Sequence, residues 1–360
     1  MRTFRLLIVE DNDQDLALCK EKVSDYIDER KREIELVACK NVEEAFEKLD
    51  NSFDGAIIDM KLGDQGDEGN EVIKRIVDSY YKIPIAIFTG TPGTADSDFN
   101  NIGVFTKGET GYEDLLDRFW TIYDTGLTRI MGGRGTIEKT LQEVFQTNIL
   151  PQIQKWEEYG EKDSSRTEKA LLRHILNHLL QLLDDDEKKY FPEEMYLYPP
   201  LSEKTCTGSI VQPKNKDDVK SKDRKWYVVM NPACDLVIRD NDRPKTDSIV
   251  LVKIEKEESI IDDKNKKDRK KLFGNDYCLY YHWLPKTDFF DGGFLNFRKL
   301  SSLSIDEFNE KFEKPIIQIA PFFIKDMVAR FSAYYARQGQ PDIDIEQFLQ
   351  ISSTDLTAIL

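Results

Sequence analysis

Short, unbroken apolar runs recur through the first third of the chain. They are Arg5–Val9 (RLLIV), Ala56–Ile58 (AII), Ile83–Phe88 (IPIAIF) and Ile102–Thr106 (IGVFT), each bounded by turn or charged residues. Runs of this length predict strands buried on both faces, as in a parallel sheet. Between them Asp15–Tyr26, Val42–Leu49, Gly69–Tyr80 and Tyr112–Ile122 read as helices. Strands alternating with helices predict right-handed βαβ crossovers and an α/β, doubly wound fold.

The pattern then changes twice. From Thr136 the period is helical, with Ile137, Leu141, Val144 and Phe145 on one face. Further helices are expected over Gln152–Glu158 and Ser165–Leu183, the latter carrying Leu171, Leu172, Ile175, Leu179 and Leu182. Asp184–Glu187 reads as a solvated turn, and Met131–Gly135 (MGGRG) as a hinge, since a glycine cradle for phosphate would want a preceding strand and a lysine. Beyond Phe191, prolines at 192, 199, 200 and 213 punctuate extended pieces at Met195–Tyr198 and Gly208–Val211. A charged loop over Asn215–Lys225 precedes β-rich runs at Lys225–Met230, Ser248–Ile254, Cys278–Trp283 and Ile316–Ala320. Phe322–Tyr335 reads as a helix with Phe323, Met327 and Phe331 on one face, stopped by the segment up to Asp342. The expected organisation is an α/β domain over 1–125, a helical linker or domain over 126–190, and an α+β domain over 191–360 built on a mainly antiparallel sheet or barrel.

Composition narrows the function classes. The chain has 360 residues, 40% of them hydrophobic, and a formal net charge of −16. Two or three domains fit that length. The acidic balance disfavours broad binding to a phosphate backbone. The cationic run Lys264–Lys271 follows Asp262 and Asp263 and reads as a solvated loop. No helix-turn-helix pattern, leader or membrane-length apolar run stands out, and five widely spaced cysteines form no disulfide framework. A soluble, cytoplasmic protein without DNA or membrane binding is expected.

The candidate chemistry sits where the strand-like runs end. The first ends in Glu10-Asp11, the second in Asp59, the third in Thr89 and the fourth in Lys107. Open parallel sheets keep their ligands at the carboxyl ends of the strands. Glu10, Asp11 and Asp59 are hard oxygen donors suited to Mg2+, with Asp59 as nucleophile and Thr89 and Lys107 on the phosphoryl oxygens.

LLIVEDN, AIIDM, AIFTG and GVFTKG, in this order, make residues 1 to about 125 resemble the receiver domain of two-component response regulators. The resemblance implies a flavodoxin-like doubly wound sheet and phosphotransfer to Asp59 from a phosphohistidine of a sensor histidine kinase. It further implies a Mg2+ held by Asp11, Asp59, the main-chain carbonyl of Lys61 and, mostly through water, Glu10. The sequence departs from the family at several points. Gly108 stands where Pro usually follows the lysine, and Val104 where a switch aromatic is usual. The loop after Asp59 lacks its usual Pro, and Gly69 comes about two residues late. A receiver joined to a region that does not bind DNA is similar to the receiver-containing regulatory proteins of Detocs-type anti-phage phosphorelays. That similarity implies a phosphate acceptor alongside a second, receiver-containing effector, with no catalysis beyond self-phosphotransfer.

Other constellations leave a rival class open, a phosphorylation-controlled effector. Arg173 and His178 flank four residues, similar to the Arg-x4-His signature of HEPN-type ribonucleases; His174 and His178, four apart, could equally ligate a metal or be ordinary surface residues. Cys234, beside Asp235 after a strand, could pair with His282 as a hydrolase, or share a metal with Cys206 and Cys278. A structural Cys beside a turn Asp is the plainer reading. A third possibility is a scaffold that recruits a partner through Trp226–Leu236.

Overall fold

The computed structural model describes residues 3–184, 189–214, 225–238 and 244–337. The charged loop expected at 215–225 lies almost wholly outside them, as do the tail from residue 338 and most of the acidic turn at 184–187. The chain divides into two compact units, Met1–Asp186 and Glu187–Leu360.

In the first unit the strands are β1 (Phe4–Val9), β2 (Ile34–Cys39), β3 (Gly55–Ile58), β4 (Ile85–Thr89) and β5 (Gly103–Thr106). All neighbours pair in parallel, in the order β2-β1-β3-β4-β5. This is the flavodoxin-like order, whose reversal between β1 and β3 opens a crevice at the carboxyl edge. Helices α1 (Asp13–Arg30) and α4 (Tyr112–Asp124) cover one face through Leu16, Cys19, Val23, Leu115 and Phe119. Helices α2 (Val42–Lys48) and α3 (Gly69–Asp78) cover the other through Ala45, Val72, Ile73 and Ile76.

Two features depart from the pattern reading. Strand β2, not expected from the sequence, is an edge strand with an exposed Glu35 and half-buried neighbours, so it lacks the continuous apolar run of its partners. A parallel crossover usually carries a helix, but β4 and β5 are joined by residues 90–102, whose only regular turn is a short 3-10 segment at Pro92–Thr94. Gly, Pro, Asp, Ser and Asn dominate there and disfavour a helix. Ala95 and Phe99 pack on the core in its place. Asn70 of α3 clamps the loop, donating to the Thr94 carbonyl (3.0 Å) and accepting from the Asp96 N–H (3.0 Å).

The unit continues through α5 (Leu127–Met131), α6 (Thr136–Val144), α7 (Ile153–Lys162) and α8 (Ser164–Asp184). The GGRG stretch, read as a hinge, is instead pinned to the loop before β3. The Gly133 N–H donates to the Asn51 carbonyl (3.0 Å), and Arg134 pairs with the buried Asp54. A Cβ at Gly133 would lie 2.2 Å from that carbonyl oxygen, so the backbones approach too closely for any side chain.

The second unit holds β6 (Tyr196–Leu197), β7 (Ser209–Val211), β8 (Trp226–Val229), β9 (Ser248–Glu255), β10 (Tyr281–Leu284), β11 (Gly293–Ser304) and β12 (Ile317–Ile319). They form one antiparallel sheet in the order β10-β11-β9-β8-β7-β12-β6. Short helices α9 (Ala233–Leu236), α10 (Glu258–Ile261), α11 (Lys266–Phe273) and α12 (Ile305–Lys311) fill the connections. Helix α13 (Pro321–Tyr335) packs on one face, with Met327 fully buried and Phe323 and Phe331 beside it, as the periodicity predicts. Phe308 and Phe312 cover the other face. This is an α+β unit. The cationic run at 264–271 largely forms α11, and its Arg269 closes the preceding turn by donating to the Ile261 and Lys264 carbonyls (3.1 and 2.9 Å).

Gly133→Ala is expected to destabilise the first unit by about 1–3 kcal/mol, because a methyl group there must displace backbone. Urea unfolding checks this as a lowered midpoint at unchanged slope; an unmoved midpoint would mean that the segment yields freely.

Candidate functional site at the carboxyl edge of the parallel sheet

Each strand of the crevice delivers one polar group. Glu10 follows β1 and Asp59 follows β3, both within a residue of a fully apolar strand end, so their carboxylates are buried at 2% and 6% exposure. Thr89 ends β4, fully buried, and Lys107 follows β5. Asp11 is exposed beside them. Together with Asn12, Lys61, Gly90 and Thr91, these residues line a cleft of about 340 Å3.

Lys107 is the centre of the cluster. Its Nζ donates to Asp59 Oδ2 (2.7 Å), Glu10 Oε2 (2.7 Å) and Asp15 Oδ2 (2.9 Å). Burial disfavours the ammonium, but the bonds to Asp59, Glu10 and Asp15 outweigh it and raise its pKa. Burial drives Glu10 up to about 7, with the Lys107 bond opposing and the charge of Asp59 adding to the rise. The second oxygen of Asp59 accepts from the Lys61 N–H (3.3 Å). Thr89 Oγ1 accepts from the Thr91 N–H (3.2 Å).

Asp15 is the member that the sequence analysis missed. Asn12 caps α1 through Oδ1, accepting from the N–H groups of Gln14 (2.8 Å) and Asp15 (3.3 Å). The first helical turn thereby places Asp15 towards the crevice. The legible signal was an acid four residues beyond Asp11, at the start of a helix that favours anions. The loop after Asp59 is closed by Glu68, whose carboxylate accepts from the N–H groups of Leu62, Gln65 and Gly66 (3.3, 2.8 and 3.0 Å). Gly69 then lies so close that a Cβ would sit 2.3 Å from the Asp59 carbonyl oxygen.

The donor set fits a hard divalent cation. One oxygen each from Glu10, Asp11 and Asp59 lie within 4.8 Å of one another. Lys107 and Lys61 stand there against the four carboxyl groups of Glu10, Asp11, Asp15 and Asp59, so the balance is negative. Among the described residues no other group of three His, Cys, Asp or Glu side chains converges in this way.

The other candidates do not assemble. His178 and His174 touch each other (Nε2 to Nε2 3.2 Å), without a third ligand. Arg173 lines a separate, shallow groove with Asp163, Ser165, Arg166, Lys169 and Ala170, to which His178 does not belong. Cys234 is exposed, and its thiol lies 3.6 Å from the carboxylate of its neighbour Asp235. His282 is buried on β10, neither ring nitrogen has a hydrogen-bond partner among the described residues, and burial followed by the Arg330 charge lowers its pKa to about 3. Cys206 bonds Gln318 (3.0 Å), away from any metal-like cluster. Asn231, in the proposed recruiting stretch, instead staples β8 to β9, accepting from the Val250 N–H (2.7 Å) and donating to the Ser248 carbonyl (2.8 Å). None of the described helices is long and apolar enough to cross a membrane.

No protein-family model and no curated protein matches the chain. Among solved structures, the non-phosphorylated HemR receiver domain of Leptospira biflexa is similar at 20% identity, over 33% of this chain and 94% of that one, with a TM-score of 0.27. The chemotaxis response regulator CheY4 of Vibrio cholerae is similar at 22% identity, over 34% of this chain and 99% of that one, with a TM-score of 0.27. A response regulator receiver protein from Pseudoalteromonas atlantica is similar at 15% identity, over 34% and 98%, with a TM-score of 0.26.

The raised Glu10 pKa sets a pH dependence. The folded chain holds an extra proton between about pH 4.5 and about 7, so stability falls as pH rises through that window. In metal-free protein, Glu10→Gln is expected to remove a fall on the order of 3 kcal/mol. Urea unfolding in chelator at about pH 5 and about pH 8 measures it; equal pH slopes in both proteins would refute the assignment.

Proposed function

We propose that the first unit is a phosphoacceptor of a two-component relay, taking a phosphoryl group on Asp59 from a phosphohistidine of a sensor histidine kinase. The observation that carries this reading is the convergence, at one sheet edge, of a buried carboxylate, a lysine bonded to it and a threonine hydroxyl from three adjacent strands. Asp59 lines the cleft and is held at both oxygens, by Lys107 and by the Lys61 N–H, an orientation that suits attack. Attack of Oδ on phosphorus forms the acyl phosphate bond and breaks the P–N bond. The electron pair leaves with the imidazole, which takes a proton. Lys107 is positioned to exchange its bond with Asp59 for one to a phosphoryl oxygen, and Thr89 lines the same cleft. Mg2+ held by Asp11, Asp59 and Lys61, with Glu10 behind, would supply charge neutralisation to the phosphoryl oxygens.

The finer reading is a regulatory acceptor that diverts phosphoryl groups from a second receiver-containing effector in anti-phage defence. Its support is the lack of a conventional relay. Val104, where a switch aromatic is usual, is exposed on edge strand β5, and the β4–β5 link has no helix to shift. For the effector reading, Arg173 lines a groove with Asp163 and Lys169, and His178 contacts His174.

Intact mass after incubation with a small-molecule phosphodonor and Mg2+ is expected to show one phosphoryl group on the wild type. Asp59→Asn is expected to show none, and Lys107→Ala at least about a tenfold lower rate, the loss of one charge-assisted contact in the transition state. An adduct that survives in Asp59→Asn would refute the proposal. For the finer reading, Asp59→Asn should raise phosphorylation of the effector that shares the kinase.

A further inference from the structure

Helix α8 carries a pair of histidines that the phosphoacceptor site does not use. His174 and His178 stand four residues apart, so they share one face of the helix, one turn apart. Both are half-buried. The Trp156 ring of α7 lies against His174, 5.6 Å between centroids, which limits the rotamers open to that ring. Packing therefore sets the pair in place before any ligand arrives.

The two rings present the same atom to each other. Nε2 of His174 and Nε2 of His178 are 3.2 Å apart. Two nitrogens bound to one ion at about 2.0–2.1 Å are about 3.3 Å apart at the tetrahedral angle and about 2.9 Å apart at a right angle. The observed separation falls between the two. The ring centroids are 4.6 Å apart and the planes cross at 87°, so the rings meet at an angle rather than end to end, as ligands of one ion must. Without a metal, one ring donates its Nε2–H to the other nitrogen. On binding, that proton moves to Nδ1, both Nε2 lone pairs are free for the ion, and both rings stay neutral. Ala170, Leu171 and Gln181, one turn along the same face, carry no charge, and Arg173 lines the groove that holds Asp163.

The donor chemistry selects the ion. Imidazole suits Zn2+, Cu2+ and Ni2+, whereas Mg2+ and Ca2+ want oxygen. The acidic cleft at the sheet edge has the opposite preference, so the two sites take different ions. Among the described residues no third His, Cys, Asp or Glu side chain joins the pair.

We propose that His174 and His178 form a two-imidazole site for a borderline divalent transition-metal ion, Zn2+, Ni2+ or Cu2+, with the remaining positions left to water. The site stands independently of phosphotransfer at Asp59.

The chain has three histidines, which makes each ring separable by nuclear magnetic resonance. The full chain is taken without an affinity tag, with 15N-labelled histidine and Mg2+ in excess to fill the acidic cleft. Zn2+ is expected to shift the Nε2 resonances of His174 and His178 together and to hold both rings as the Nδ1–H form, leaving buried His282 unchanged. Ni2+ is expected to quench Trp156 saturably with a Kd on the order of 10 µM, about half the binding free energy of a four-ligand zinc site. Trp156→Phe should remove that quench. His178→Gln, a helix-compatible change, should weaken Ni2+ at least about tenfold while circular dichroism stays unchanged. Zinc bound with neither ring shifted, as capture by the exposed Cys206 or Cys234 would give, overturns the proposal. So does a shift confined to one ring, or a Ni2+ affinity that His178→Gln leaves unchanged.

Discussion

A single ammonium group shared among three carboxylates organises the carboxyl edge of the parallel sheet. Lys107 reaches Asp59, Glu10 and Asp15 at 2.7–2.9 Å. Packing that many acids in a buried place is unfavourable without a cation, and removing one partner of such a cluster leaves an uncompensated charge. The cluster therefore couples four elements that are far apart in the chain: β1, α1, β3 and β5. The parallel strand order supplies three of their ends at one edge, and the first turn of α1, capped by Asn12, supplies the fourth group. Buried strands on both sides hold the backbone still while the side chains face the cleft.

The same arrangement explains why the site can change charge. Burial raises the Glu10 carboxyl to about 7, and the Lys107 bond opposes that rise. Lys107 has several alternative acceptors, which lets it leave one without being stranded. The loop after Asp59 is closed on Glu68 and followed by Gly69 packed against the Asp59 backbone. The link after β4 carries only a short 3-10 turn, and Gly108, next to Lys107, has a positive φ of 91°.

Beyond the sheet, the first unit is extended by helices rather than by a free linker. Gly133 and Arg134 fasten that extension to the loop ahead of β3, so the glycines serve close approach instead of motion. In the second unit Asn231 staples β8 to β9, and burial on β10 lowers the pKa of His282.

What the sequence by itself determined was whatever repeats locally. Strands β1, β3 and β4 were legible because burial on both faces leaves an uninterrupted apolar run, edge strand β5 because its short apolar run is bounded by Asn101 and Lys107, and helix α13 because its apolar face has a 3.6-residue period. The residues that end those runs, Glu10, Asp59, Thr89 and Lys107, were legible for the same reason. Strand β2 was not, because an edge strand with Glu35 outward looks like a polar segment. Strand β11 was not, because a register shift between Leu295 and Leu300 joins a buried half to an exposed half and no one period spans it. Only the tertiary structure could decide that Asp15 belongs to the site, since its partner stands 92 residues away. It alone could set Cys234, just after β8, apart from His282 on β10, with β9 and β11 between them, because adjacency in space is set by packing, on which residue type and spacing are silent.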